Sequence, residues 1–322
     1  MIPWAQRWQV PLYLAALAVG AVAGYLLPDA AGFFEASITP VLVALLYATF
    51  LAVPFGSAKD AFGDTRFMAA VMVINFLAVP VVVFVLSRWL LFDRALLVGA
   101  LLVLLAPCID YVIVFTRLAG GDWARLLAAA PVLMLAQLLA LPVLLPWFAG
   151  AETVADIEVG PFLNALILFI LAPLGLSWLS QAAGRRYRPA RRLMRAMEAL
   201  MVPLMVATLA VVTASQVTRV LPRIASLLWA IPVYVVFLLV MPVIGALVAR
   251  AAGQDAPARR AIAMSGSTRN SLVVLPLALA LPGELAVAAS AVVTQTLVEL
   301  FGMVVFVRLL PRFIEDAPRA AD

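Results

Sequence analysis

Three ionisable side chains stand inside apolar stretches of a 322-residue chain that is 66% hydrophobic and 12% charged. Asp110, Arg269 and Glu299 each cost at least ~2.5 kcal/mol at the centre of a bilayer unless paired or wetted. Their depths agree: Asp110 precedes Arg117 by seven residues, Arg269 follows Arg260 by nine, and Glu299 precedes Arg308 by nine. At ~1.5 Å per helical residue all three lie roughly 10–14 Å from one boundary. Asn75, nine residues after Arg66, and Gln137, twelve after Arg125, join that layer, and Asn270 and Ser271 follow Arg269 directly. Such a set can hydrogen-bond a small solute, neutralise one charge, and load or release a proton at Glu299 or Asp110. Plainer roles compete with these. Asp110 and Arg269 form a structural ion pair on one view, Glu299 is a helix–helix hydrogen bonder, and the amides are interhelical glue. Cys108, two residues from Asp110 and beside Pro107, is either a small hydrophobe or a sulfur contact for cargo.

Other chemistry is excluded by what is missing. Cys108 is the sole cysteine, so no internal disulfide and no multi-thiolate metal site forms within one chain. With no histidine there is no Ser-His-Asp triad and no His-Glu-x-x-His zinc helix. No phosphate loop of Walker type occurs, and Gly120-Gly121-Asp122 follows Ala119 rather than completing a Gly-x-Gly-Asp motif. We therefore expect no catalytic residues, no resident metal and no cofactor. The expected partners are a small-molecule substrate, the bilayer and a coupling ion, H+ or Na+. The formal charge of +5 comes from 22 basic residues spread over loops between apolar runs. That spread reads as topology rather than nucleic-acid binding, and no obligatory protein partner is implied.

These polar groups need helices to position them. A hydrocarbon core of ~30 Å needs ~20 apolar residues per span. Ten spans can be placed near 10–27, 37–56, 67–91, 95–118, 123–148, 160–181, 199–220, 226–250, 258–281 and 285–310. Arg7 ahead of the first run mimics a secretory signal, but removing that run would break the symmetry described next. The loop Arg185–Arg195 holds six arginines and belongs in the cytoplasm. Counting outward from it puts both termini inside, with 17 of the 22 basic residues on that side and four in external loops. The expected location is the cell's inner membrane, crossed many times.

The fourth run contains Ala106-Pro107-Cys108-Ile109-Asp110 and the ninth Gly266-Ser267-Thr268-Arg269-Asn270, 160 residues later. Each interrupts an apolar segment with small, polar or proline residues, as expected of a helix broken to line a cavity. An odd number of spans per half inverts the second half relative to the first. The expected fold is thus an all-α membrane protein of ten helices in two inverted five-helix repeats, residues 1–150 and 151–322, forming one membrane unit with helices 4 and 9 broken and crossing.

These residues resemble the bile acid:sodium symporter superfamily, and more closely its arsenical-resistance permease branch. Ala106-Pro107-Cys108 with Val112, Val114, Leu118 and Gly121-Asp122 is similar to that branch's cysteine-containing fourth-helix motif. Asn75 with Pro80 resembles its third-helix Asn-Trp-x-x-x-Pro pattern, with Phe76 in place of Trp; Gln137 and Glu299 resemble its fifth-helix glutamine and tenth-helix glutamate. The ninth helix departs from it. Ser271 stands where the branch carries a glutamate, and Ser265 near the position of a sodium-holding glutamate in the sodium-coupled relatives. The resemblance implies proton-driven efflux of arsenite or a related small oxyacid. Its substrate would lie against Cys108, Asp110, Arg269, Asn270, Ser271, Asn75 and Gln137, with proton coupling at Glu299 and Asp110. The alternative is sodium-coupled uptake of an organic anion whose carboxylate Arg269 binds. An intramembrane enzyme is a third and weaker reading.

Overall fold

The computed structural model describes residues 9–52, 64–109, 111–150, 160, 164, 166–221 and 224–315. Every regular element among them is helical. Helix α1 is Gln9–Leu26 and α2 is Ala31–Ala52. Helix α3, Thr65–Val73, passes through a π turn, Ile74–Ala78, into α4, Val79–Ser87. Then come α5, Arg94–Leu104; α6, Tyr111–Leu118; α7, Trp123–Ala149; α8, Ala172–Gly184; and α9, Arg188–Val220. The chain closes with α10, Ile224–Ala251; α11, Ala256–Ser267; α12, Ser271–Leu279; and α13, Val287–Phe313. Seven continuous helical segments among the described residues are long and apolar enough to cross a membrane.

Short polar side chains start many of these helices. Asp64 accepts the amide of Phe67, Asp93 those of Ala95 and Leu96, Asp122 that of Arg125, Asp255 that of Ala258, and Asn270 that of Val273. Each satisfies amides that have no partner in the first turn. Asp64, Asp122 and Asp255 meet at one end of the molecule, where Arg125 reaches them at 3.3, 3.0 and 3.8 Å. There too, Arg260 donates to the carbonyls of Ile314 and Gly120. The N-termini of α3, α7 and α11 are thus tied together.

The packing falls into two groups. Helix α9 lies along α1 and α2, and α8 lies on α2 and α9. Tyr47 and Ser180 share a hydrogen bond of 2.8 Å across the α2–α8 contact. The remaining helices surround α5 and α11 in one continuous apolar cluster. A second cluster joins the groups, with Tyr13, Leu17, Leu45, Met205 and Leu209 meeting Leu272 on α12 and Leu300 on α13. Because lipid tails are as apolar as leucine, close approach rather than water exclusion drives such contacts. A Cβ on Gly24 would sit 2.2 Å from the Ala214 carbonyl of α9, and one on Gly99 2.6 Å from the Ala288 carbonyl of α13. Phe33, Leu139 and Trp147, among others, turn outward as lipid contact demands.

Candidate functional site

Two segments of non-helical backbone meet at the middle of the structure. After α5, Pro107 has no N–H to give, and the chain stays outside any helix through Ile109. Between α11 and α12 no proline intervenes. There Ser267 and Thr268 turn their hydroxyls back onto the carbonyls of Ala263 and Met264, and Thr268 adopts an extended conformation. Such bonds back onto the preceding turn bend a helix and favour its ending there. The two extended segments pair antiparallel at Pro107 and Arg269. Cys108 N donates to the Thr268 carbonyl at 3.3 Å, and Asn270 N donates to the Ala106 carbonyl at 2.8 Å. The two helix breaks therefore meet at a crossover point held by backbone bonds.

Arg269 is fully buried, and its backbone and side chain run to different partners. Its amide donates to Glu299 Oε2 at 2.9 Å. Its Nη2 lies 2.7 Å from the Ser265 carbonyl, 2.8 Å from that of Gly266 and 3.0 Å from Asn75 Oδ1, while Nη1 reaches the Leu104 carbonyl at 3.4 Å. The Phe237 ring covers the guanidinium, 5.5 Å from its central carbon. Asn75 is placed for this by the π turn, which widens the helix two residues before Pro80. Both of its amide hydrogens are committed, to the Val71 carbonyl and to Ser265 Oγ, so Oδ1 faces the guanidinium.

Glu299, on α13, accepts three bonds. Besides the Arg269 amide they come from Tyr111 Oη on α6 and Gln295 Nε2 one turn earlier, each at 2.5 Å. The Tyr111 hydroxyl also lies 3.1 Å from the Arg269 carbonyl, so its single proton has two acceptors. This carboxylate joins α6, α13 and the crossover.

The sequence-derived site thus separates into parts. Asn75, Arg269 and Glu299 belong to one network. Cys108 lies in the crossover, fully buried. Asn270 and Ser271 begin α12, also buried, but Asn270 Nδ2 and Ser271 Oγ have no hydrogen-bond partner among the described residues. Gln137 is buried on α7 with its Oε1 likewise unused. Buried polar atoms are nearly always partnered, so each of these three is a place for a ligand atom or water. Asp110, and with it the expected Asp110–Arg269 pair, lies outside the described residues. Tyr111, Gln295 and Ser265 had been given no role in the site. Gln295 was legible as the residue four before Glu299 on the same helix face; Tyr111 carried no comparable signal.

No curated protein matches this chain significantly. Residues 12–312 match the SBF-like CPA transporter family, whose members resemble bile acid:sodium symporters, and that match takes in both interrupted helices, the crossover and Glu299. The chain belongs to the SBF-like CPA transporter family and is a multi-pass membrane protein of transporter type.

Proposed function

We propose that the chain is a proton-coupled secondary carrier that exports a small uncharged hydroxylated solute, arsenous acid or a related oxyacid. The observation that carries this reading is how the buried polar groups are used. Both terminal nitrogens of the Arg269 guanidinium are committed, to Asn75, Ser265, Gly266 and Leu104. The neutral groups Asn270 Nδ2, Ser271 Oγ and Gln137 Oε1 have no partner among the described residues. A trihydroxy acid offers both donors and acceptors to such a set, and Cys108 can add a transient sulfur contact to a thiophilic centre. An organic anion would have to draw Arg269 away from its oxygen partners, so that alternative gains less support.

Ten spans suit this reading. The seven long segments are joined by the shorter α1 and by the two interrupted pairs α5–α6 and α11–α12, neither half of which could cross alone. Two inverted repeats, 1–150 and 151–322, would bring the breaks together as an internal two-fold does. The arginine-rich start of α9 belongs in the cytoplasm, along with both termini, in the cell's inner membrane. Proton coupling falls to Glu299, because protonating an acceptor of three hydrogen bonds loosens the crossover, and to Asp110, which precedes Tyr111 in the chain.

The test is arsenite accumulation in cells expressing the protein. Expression should lower it, and Asn270→Ala or Cys108→Ser should weaken the effect at unchanged membrane abundance. Wild-type protein giving no protection, alongside sodium-dependent uptake of a carboxylate that Arg269→Gln abolishes, would overturn the proposal.

A further inference from the structure

The oxygens around the Arg269 guanidinium are orphans of the two helix breaks. In an unbroken helix the Ser265 carbonyl would accept from Arg269 N, that of Gly266 from Asn270 N, and that of Leu104 from Cys108 N. All three amides are diverted into the crossover, to Glu299, Ala106 and Thr268 respectively. Three carbonyls at the negative ends of α11 and α5 are left facing one guanidinium, those of Ser265 and Gly266 at Nη2 and that of Leu104 at Nη1. Asn75 Oδ1 is aimed at Nη2 as well by its two committed amide hydrogens.

The geometry around the guanidinium is closer to ion coordination than to one-to-one hydrogen bonding. Three oxygens lie within 3.0 Å of Nη2, a nitrogen with only two hydrogens, and a fourth lies 3.4 Å from Nη1. Arg269 Nε is buried and has no hydrogen-bond partner among the described residues. The cluster therefore holds the positive charge as a whole and leaves one of its donors idle. Unwound carbonyls at half-helix ends are the groups that take a free cation in membrane carriers.

We propose that the Arg269 guanidinium is a tethered resident cation filling an oxygen cage that would otherwise bind a free alkali-metal ion. Wild-type protein then has no sodium site at the crossover, and removing the guanidinium creates one. The inference rests on the transport reading only for its consequence, that solute flux runs without a sodium gradient. Its test involves no flux, so failure of the substrate assignment leaves it standing.

The experiment measures retention of radiolabelled sodium and thermal unfolding of purified protein, in sodium chloride and in choline chloride at equal ionic strength. Wild type should retain no saturable sodium and should melt at the same temperature in both salts. Arg269→Ser should retain sodium saturably and melt higher in sodium. If the created site is millimolar, about 100 mM salt saturates it and the variant's midpoint rises by several degrees. Arg269→Lys keeps a tethered cation and should stay indifferent to sodium. Saturable sodium binding by wild type, or an Arg269→Ser protein that folds without gaining a sodium response, would overturn the proposal. So would an Arg269→Ser protein that folds in neither salt, since a free ion then cannot replace the guanidinium.

Discussion

Replacing Glu299 by Gln keeps the side chain's shape and removes its charge, which makes it the sharpest probe of the crossover. Glu299 Oε2 faces two donors, the Arg269 amide and Gln295 Nε2, whereas Oε1 faces only the Tyr111 hydroxyl. The new amide nitrogen will therefore take the Oε1 position, and Tyr111 will turn its proton to the Arg269 carbonyl, 3.1 Å away. Geometry survives, but three charge-assisted bonds become neutral or are lost, at roughly 1 kcal/mol each. Arg269, buried nearby, also loses its compensating charge, which brings the cost to about 3–5 kcal/mol. For a chain of this size that lowers the melting midpoint by about 5–7 °C. Tyr111→Phe removes a single one of these bonds and should cost about a third as much. Thermal unfolding of the three purified proteins in one detergent measures both effects. A Glu299→Gln protein melting within ~1 °C of wild type would refute the reasoning, because Gln costs nothing only where the native group is already a neutral acid.

Other perturbations reach the scaffold. Gly24→Leu should separate α1 from α9, since even its Cβ would lie 2.2 Å from backbone oxygen; folded yield should collapse, while Ala23→Leu is tolerated better. Arg125→Ala cuts contacts to Asp64, Asp122 and Asp255, all partly exposed, and should cost at most ~1 kcal/mol, with the loss shrinking at high salt in parallel melts. A cysteine at Glu35 on a Cys108→Ser background should react with an impermeant reagent from outside, and one at Arg188 only after permeabilisation; the reverse pattern would invert the topology.

Much of this arrangement could be read from residue order. Pro107 announced one break and the Gly266–Ser271 cluster the other, and their matched position pointed to helices that meet. Equal depth likewise brought Asn75, Arg269 and Glu299 into one layer, and they do share a network. Depth, however, measures position along the membrane normal and gives no direction around the helix. It placed Gln137 in the same layer without showing that its Oε1 would be left idle. It also suggested an ion pair between Arg269 and Asp110, which lies outside the described residues. The contact with Glu299 runs through the Arg269 backbone amide, because an unwound residue sends its amide and its side chain in different directions.

The oxygen cage lay beyond reach for a deeper reason. Every residue has a carbonyl, so composition cannot mark the few that are left unpaired. Those few depend on which amides are diverted, and that depends on how two segments 162 residues apart pair in space. A one-residue change in that pairing would hand different amides to the crossover and leave other carbonyls bare. Arg269 is informative because it sits inside the break and reads the result: its guanidinium goes where the orphaned carbonyls face it. A buried arginine within an interrupted membrane helix is thus as much a consequence of backbone topology as a candidate ligand for cargo, and here it is the carbonyls of Ser265 and Gly266, at 2.7 and 2.8 Å, that hold it closest.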